Sequence, residues 1–183
     1  MLMYLIIIIV SMTLLILLNW LALQWTLLNA LLWVATTTGV EIAIIVALAI
    51  LTGFCVPKKL YNESKFYAVS KREVNFYRAL HINVWKDHVC ELGLLGGFSK
   101  KKLQNPNDPA YIDRFIWEIN KGMFMHMMGI VGAFLVLFIP FPGFWSITLP
   151  VAIVGAFLNL LPLMVLRYNK PRLLMLKTHL MRH

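Results

Sequence analysis

The stretch that decides the fold is LMYLIIIIVSMTLLILLNWLALQW at residues 2–25. It holds no charged side chain, and a helix of roughly 20 apolar residues already crosses the hydrocarbon core of a bilayer. A cleaved signal peptide has a basic start and a shorter apolar run, and this stretch has neither. We therefore predict that residues 2–25 form a transmembrane helix that stays in the mature protein.

Three further apolar runs predict three more spans. They cover about residues 39–56, 122–140 and 145–166. The last two are joined by Pro140-Phe141-Pro142-Gly143, which has the composition of a tight turn. With 60% hydrophobic residues among 183, the chain is more apolar than an ordinary soluble domain, whose apolar share is about half. The predicted fold is an all-α integral membrane protein of about four transmembrane helices, formed as one domain.

The positive charges predict the orientation of these spans. All 17 lysines and arginines lie in a segment at residues 57–121 and a tail at residues 167–183. Because such residues collect on the cytoplasmic side, we predict that both segments and both termini are cytoplasmic in a bacterial plasma membrane. The formal net charge of +9 then reflects contact with anionic lipid, so we predict membrane lipid and not nucleic acid as a partner. The sequence does not indicate an oligomeric state.

The segment at residues 57–121 holds signals for interfacial helices. Ser70 and Glu73 fit a capping box, which starts a helix. Apolar residues then recur at helical spacing and predict one face that lies on the membrane. They are Val74, Tyr77, Leu80 and Val84. A glycine-rich link at residues 92–98 and three lysines at 100–102 follow. The lysines suit phosphate or lipid headgroups, or form a solvated loop.

A second helix in this segment is predicted to run into the third span. Asp108 is a suitable N-cap and Pro109 is tolerated in the first turn. With no breaker before Gly122, we expect Glu118, Gly122 and His126 to lie one above another on nearly the same face. The imidazole then sits just inside the apolar region, where ionisable groups usually serve function. We interpret it as a catalytic candidate, with a packed histidine as the alternative.

Glu41 stands two residues into the predicted second span. It suits either a partner for an arginine or histidine in the bundle or a carboxylate at the membrane interface. Its position near the outer end of that span favours the interfacial interpretation.

No cofactor or metal site is indicated. No phosphate loop, nucleophile elbow or dinucleotide fingerprint is present. The candidate metal ligands lack the His-x-x-x-His spacing of helical zinc sites. They are His81, His88, Glu91 and Glu118. Cys55 and Cys90 do not form a disulfide framework, so we predict free thiols.

Three separated groups of residues resemble one known family. They are Trp85-Lys86-Asp87 after the aromatic pair Phe76-Tyr77, Glu118 eight residues before His126, and Asn159 eight residues before Arg167-Tyr168-Asn169-Lys170-Pro171-Arg172-Leu173. This last string, residues 167–173, is the most specific of the three. Together they resemble the glycosyl-4,4'-diaponeurosporenoate acyltransferases, small bacterial membrane enzymes of carotenoid synthesis. The resemblance extends from about Pro57 to the C-terminus.

This resemblance implies transfer of a fatty acyl group from an acyl thioester to a hydroxyl of a membrane glycolipid, such as a glycosylated carotenoid. His126 is then the general base, Glu118 orients its ring, and Asp87 completes the catalytic group. The implied substrate-binding residues lie at the cytoplasmic face. They are Trp85, Lys86, Asn159, Arg167, Tyr168, Asn169 and Arg172.

The resemblance also assigns chemistry to the substrate-binding residues. Arg167, Asn169 and Trp85 would stabilise the thioester oxyanion. Lys86, Arg172 and the lysines at 100–102 would bind the phosphates of an acyl-CoA, which is a co-substrate and not a resident cofactor.

Other interpretations remain open for the same residues. String 167–173 also suits a membrane anchor, and the leucines after it suit an amphipathic surface helix. At the level of function, the alternatives are a non-catalytic scaffold or small transporter subunit, and a membrane methyltransferase or reductase.

Overall fold

The computed structural model describes residues 2–89 and 103–182. Predictions on Cys90, Glu91, the link at residues 92–98 and the lysines at 100–102 lie outside the described residues. The described part contains helices and no strand. Four of the helices are long and apolar enough to cross a membrane, which confirms the predicted all-α membrane fold. The cytoplasmic location of the termini stays a prediction.

Six α-helices form the described structure. They are α1 (Leu2–Leu17), α2 (Leu27–Cys55), α3 (Lys71–Ala79), α4 (Ile82–Trp85), α5 (Pro109–Leu135) and α6 (Leu149–Leu180). Shorter turns extend or join them. The π-helical turns are Leu18–Ala22 and Phe144–Thr148, and the 3-10 turns are Lys58–Tyr61, Lys65–Tyr67, Lys86–His88 and Val136–Phe138. The four candidate spans are α1, α2, α5 and α6 with their adjoining turns.

Helix α2 begins at Leu27, well before the predicted start near residue 39. The hydroxyl of Thr26 accepts a hydrogen bond from the backbone N–H of Asn29 at 3.2 Å and caps this end. The threonines at positions 36–38, which precede the predicted start, lie within the helix. Glu41 is consequently at the midpoint of α2, about 20 Å from either end, and the predicted position near the outer end of this helix was wrong.

Helix α6 also differs from the prediction, because it continues through the predicted tail to Leu180. The change from apolar to basic residues near Arg167 marks the end of an apolar span, but charge alone does not end a helix. Pro162 and Pro171 both lie inside α6. Proline lacks a backbone N–H, so each of them removes one helical hydrogen bond without ending the helix here.

The chain contains two compact units. The first, the apolar unit, comprises Met1–Cys55 and Met127–Leu160. The second, the polar unit, comprises Val56–His126 and Leu161–His183. This division does not test the prediction of a single domain, which stays a prediction.

The apolar unit is held together by close helix packing and by polar contacts, including a pair of hydrogen bonds between Asn19 and Ser146. Val34 of α2 packs with Ile147 and Val151 in a buried cluster. At the turn before α6, the hydroxyl of Ser146 donates to the Asn19 side-chain oxygen at 2.7 Å. The Asn19 amide donates in return to the Ser146 carbonyl at 3.2 Å. A buried amide therefore has its partners within the unit, as the membrane interior requires.

In the polar unit, α3 begins as predicted and ends early. The hydroxyl of Ser70 accepts from the Glu73 backbone N–H at 3.1 Å, which confirms the capping box. The helix ends at Ala79, and His81 adopts a left-handed conformation with φ of 51°. This turn breaks the predicted apolar face. Tyr77 is buried, whereas Val84 is 73% exposed.

Helix α5 confirms the continuous helix predicted from its sequence. The Asp108 carboxylate accepts from the Ala110 backbone N–H at 2.9 Å, and the helix starts at Pro109. No break separates Glu118 from His126.

Candidate functional site

A lysine with no exposed surface lies at the centre of the polar unit. The Nζ atom of Lys170 donates to Glu63 Oε1 at 2.8 Å and to the Tyr67 carbonyl at 2.8 Å. It also lies 5.4 Å from the centroid of the Tyr67 ring, a cation–π distance. A charge removed from water needs such partners, because leaving it alone costs several kcal/mol. These contacts join α6 to the residues between α2 and α3.

Asn120 extends this network to α5. Its Nδ2 atom donates to the Tyr61 carbonyl at 3.0 Å and lies 3.5 Å from Glu63 Oε2. The Tyr61 ring meets Trp117 edge to face, with centroids 5.4 Å apart. Burial raises the pKa values of Tyr61 and Tyr67, so both phenols stay neutral. We name Glu63, Lys170, Asn120, Tyr61 and Tyr67 the lysine network.

A second polar connection joins α3 to α6. Arg167 donates from Nε to Glu73 Oε1, and from Nη2 to Glu73 Oε2 at 2.9 Å and to the Ala68 carbonyl at 3.0 Å. The Tyr77 hydroxyl also donates to Glu73, at 2.5 Å. The hydrogen bonds from Arg167 hold the pKa of Glu73 below its usual value of 4.5. Burial and then the adjacent Glu73 raise the pKa of Tyr77 to about 12.

Tyr168 is buried between α6 and the short helix α4. It is 2% exposed, and its hydroxyl donates to the Asn83 side chain at 3.2 Å. Arg172 lies one turn later on α6. Its Nη2 atom donates to the Tyr168 hydroxyl at 2.9 Å, and its guanidinium carbon lies 4.8 Å from the ring centroid. Ile82 and Met164 complete this buried cluster with Tyr77.

String 167–173 is thus largely engaged within the protein. Arg167, Tyr168 and Lys170 each contact a different part of the segment between α2 and α5. The Trp85 indole N–H is engaged too, since it donates to the Leu80 carbonyl at 3.0 Å while its ring packs against the buried cluster. These contacts give the string a structural role that the sequence interpretation as a set of substrate donors did not include.

Three predicted binding residues retain polar groups that can face a ligand. Asn169 and Lys86 are half-buried, and neither side chain forms a hydrogen bond with another described residue. Arg172 is exposed. Of the predicted residues, these are the best placed to donate hydrogen bonds or positive charge to an anionic substrate.

Glu118 and His126 are both half-buried on α5. Eight residues of helical rise separate them by about 12 Å, so the carboxylate cannot hydrogen bond directly to the imidazole. The ion pair between Asp113 and Lys177, at 2.7 Å, sets the antiparallel register of α5 and α6 within the polar unit. Glu118 then lies near the level of Arg172, two turns from His126.

The remaining predicted residues are Asp87 and Asn159. Asp87 is exposed in the 3-10 turn Lys86–His88 of the polar unit. Asn159 belongs to the apolar unit, where its Nδ2 atom donates to the Gly155 carbonyl at 3.0 Å. Its carboxamide occupies the space where Gly129 has no side chain, with the Asn159 Cγ atom 2.7 Å from an idealised Cβ there. Asn159 therefore has a packing role in the apolar unit.

Metal-ligand candidates are not assembled in the part of the chain that the structure describes. Among residues 2–89 and 103–182, no three histidine, cysteine, aspartate or glutamate side chains come close enough to hold an ion. Glu91 lies outside those residues, and the prediction of no metal stays a prediction.

Most of the lysine network was missed by sequence reasoning. The sequence did indicate Lys170, as part of string 167–173, because a lysine beside an apolar helix needs a counter-charge. Glu63 and Asn120 gave no signal, since their importance depends on contacts between residues far apart in sequence.

Replacing Glu63 with glutamine should destabilise the protein more than replacing Asp113 with asparagine. Lys170 is 0% exposed, so Glu63→Gln leaves a buried ammonium without a counter-charge, whereas Lys177 is 33% exposed and stays hydrated in Asp113→Asn. Since Glu63 is itself partly exposed, we expect a loss of about 2 kcal/mol for Glu63→Gln and under about 1 kcal/mol for Asp113→Asn. Thermal unfolding in detergent measures both. Equal losses of stability in the two variants would show that the buried Glu63–Lys170 pair contributes no more than the exposed Asp113–Lys177 pair.

The contribution of Glu73 to stability should depend on pH. Its pKa is lowered by folding, so this contribution is complete above 4.5, the usual value, and is lost as pH falls through the lower pKa of the folded state. The difference in unfolding free energy between wild type and Glu73→Gln should therefore stay constant above pH 4.5 and shrink as the pH falls below 4.5. Unfolding of both proteins in detergent across acidic pH tests this. A difference that stays constant throughout would show that Arg167 does not lower this pKa.

Comparison with known proteins identifies the family. Residues 57–179 match the family of glycosyl-4,4'-diaponeurosporenoate acyltransferases. No curated protein and no solved structure gave a significant match. The matched residues span more than half of the chain, including the lysine network, the whole of string 167–173 and both Glu118 and His126. The resemblance seen in the sequence is therefore confirmed, and the chain belongs to the glycosyl-4,4'-diaponeurosporenoate acyltransferase family.

Proposed function

We propose that this protein is a membrane O-acyltransferase of carotenoid biosynthesis. It moves a fatty acyl group from an acyl thioester, such as an acyl-CoA, to a hydroxyl of a membrane glycolipid, such as a glycosylated carotenoid. The observation that carries the proposal is the family match over residues 57–179. Helix α5 supports it, because the helix continues from charged residues into an apolar span and carries His126 just past Lys121.

His126 is the general base in this proposal. A sugar hydroxyl is a weak nucleophile and needs a base that titrates near neutral pH, which is the range of histidine. The imidazole takes the hydroxyl proton while the oxygen attacks the thioester carbonyl carbon. The carbon–sulfur bond then breaks, and the thiolate receives that proton from the imidazolium. The products are an ester and a free thiol, and His126 returns to its neutral form.

Asn169 is the preferred donor to the oxyanion that forms during attack. Its amide has no hydrogen bond to another described residue and is therefore available to donate. Such donors act best when they are held in place before the reaction, and the contacts of Tyr168 and Lys170 on either side fix this turn of α6. The two engaged donors of the original prediction, Arg167 and Trp85, become positioning residues. Their hydrogen bonds to Glu73 and the Leu80 carbonyl fix the part of the chain that surrounds the reaction.

Glu118 takes a role separate from His126, because about 12 Å of helix lies between them. A carboxylate accepts hydrogen bonds from sugar hydroxyls, so we assign Glu118 to binding the sugar of the acceptor. Asp87 keeps the catalytic role that the resemblance implies. Tyr168 and Asn159 act through packing, since each is already bonded within its own unit.

The cationic side chains suit the donor substrate. Lys86 and Arg172 lie in the polar unit, where they would meet the phosphates of an acyl-CoA from the cytoplasmic side. The lysines at 100–102 would add to this charge. The acyl chain would remain in the apolar environment of the bilayer.

Two other functions remain as alternatives. A non-catalytic scaffold or transporter subunit would use string 167–173 only for structure, and a methyltransferase or reductase would use it to hold a cofactor. The family match favours acyl transfer over both.

Replacing His126 with alanine should lower acyl transfer by about 100-fold or more, the usual range for losing a general base. His179→Ala is the matched control, because that histidine is exposed near the end of α6. Glu118→Gln should weaken binding of the acceptor more than it lowers the maximal rate. Cells carrying each variant are compared by mass spectrometry of extracted lipids, and purified variants by thioester consumption.

The outcomes separate the alternatives. If His126→Ala is folded and produces as much acylated glycolipid as the wild type, the catalytic role of His126 is wrong. If only deletion of the whole protein lowers that product, the scaffold alternative is favoured.

A further inference from the structure

Glu41 is a carboxyl group in the middle of the apolar unit. It lies at the midpoint of α2, where it is the one charged residue of the helix, and is 3% exposed. Its side chain faces Gly155 of α6, where an idealised Cβ would stand 2.6 Å from the Glu41 Cδ atom. A side chain at position 155 would displace the Glu41 carboxyl. The glycine therefore leaves open the space that this carboxyl occupies.

No opposite charge is available to this carboxyl within its unit. Residues 2–55 and 127–160, all described, contain no lysine, arginine or histidine. The other titratable side chains there are Tyr4, whose hydroxyl donates to the Leu158 carbonyl, and Cys55, which is exposed at the end of α2. A bare carboxylate at this depth is costly, and its charge must be cancelled by something other than a side chain of the unit.

Among the residues that the structure describes, the Oε1 atom of this carboxyl is buried and has no hydrogen-bond partner. The same holds for the hydroxyls of Thr37 and Thr38. These threonines stand four and three residues before Glu41, the spacings that place side chains next to each other on a helix. Three side-chain oxygens at neighbouring positions of α2 are therefore buried without a partner in the described part of the chain. Oxygen atoms of this kind are the ligands that hard cations take.

We propose that Glu41, with Thr37 and Thr38, forms a binding site for one monovalent cation, either a proton or Na⁺, inside the membrane. The cation cancels the charge that the unit leaves uncompensated, and the threonine hydroxyls solvate it or hydrogen bond to the neutral carboxyl. The site is separate from the acyl-transfer chemistry, since it uses only residues of the apolar unit.

Infrared spectroscopy tests the site, because a protonated carboxyl and a carboxylate absorb at different frequencies. The purified full-length protein is compared with Glu41→Gln, which keeps the shape of the side chain without its charge. The first spectra are taken at neutral pH in choline chloride, without Na⁺ or K⁺. We expect the difference spectrum to contain the C=O band of a protonated carboxyl that shifts in D₂O.

Addition of NaCl then distinguishes the two cations. If the protonated band gives way to carboxylate bands in NaCl but not in more choline chloride, the site takes Na⁺. If the band persists, the site holds a proton. Carboxylate bands already present in choline chloride would overturn the proposal, since Glu41 would then be ionised with no cation. Should Glu41→Gln fail to fold, glutamate-specific ¹³C labelling of the wild type identifies the band, with Glu118→Gln as the reference.

Two threonine variants test the other oxygen ligands. Thr37→Val removes an unpartnered hydroxyl four residues before Glu41, whereas Thr52→Val removes a buried hydroxyl on the same helix that donates to the Ala49 carbonyl at 3.0 Å. Thr37→Val should shift the Glu41 band or weaken its response to Na⁺, and Thr52→Val should leave both unchanged. Identical spectra for the two variants would remove Thr37 from the proposed site.

Discussion

The polar unit depends on the buried ammonium of Lys170. With no exposed surface, this charge requires Glu63 and the Tyr67 carbonyl to stay beside it. Asn120 contacts Glu63 and the Tyr61 carbonyl, so one charged group brings α5, α6 and the residues after α2 to a common point. Replacing a partner of a buried charge is far more disruptive than losing a surface ion pair. The requirement to neutralise Lys170 therefore restrains the polar segment against both long helices.

Other polar contacts extend this restraint through the polar unit. The Arg167–Glu73 pair holds α3, and Tyr168 holds α4, so the same stretch of α6 positions three successive parts of the polar unit. Catalysis requires donors that are fixed before the reaction begins. In the proposed mechanism, Asn169 and His126 lie in the unit that these contacts stabilise, while the engaged side chains supply rigidity instead of substrate contacts.

Sequence patterns predicted the membrane fold well because apolar length and helix caps are local properties. Ser70 and Asp108 cap their helices as expected, and residues 2–25 include the first candidate span. The predicted helix boundaries were wrong where the composition of the sequence changes but the helix continues. The second span was predicted to start near residue 39, after the threonines at 36–38, and the charges after Leu166 suggested a separate tail, but the helix continues through both stretches.

The candidate site was predictable only in part. Its residues were identified from the family resemblance, but their partners depend on tertiary contacts, as for Glu63 with Lys170. The separation of Glu118 and His126 follows from helical rise alone, and for that reason the proposed function gives the two side chains separate roles.

Hydrogen–deuterium exchange tests the central claim most directly. Lys170→Met is compared with Lys177→Met, in which a partly exposed lysine with its own ion pair is replaced. We predict that Lys170→Met accelerates backbone exchange in residues 58–67 and leaves α1 unchanged, while Lys177→Met leaves residues 58–67 as in the wild type. Equal exchange of residues 58–67 in both variants and the wild type would contradict the claim that Lys170 holds the polar unit together.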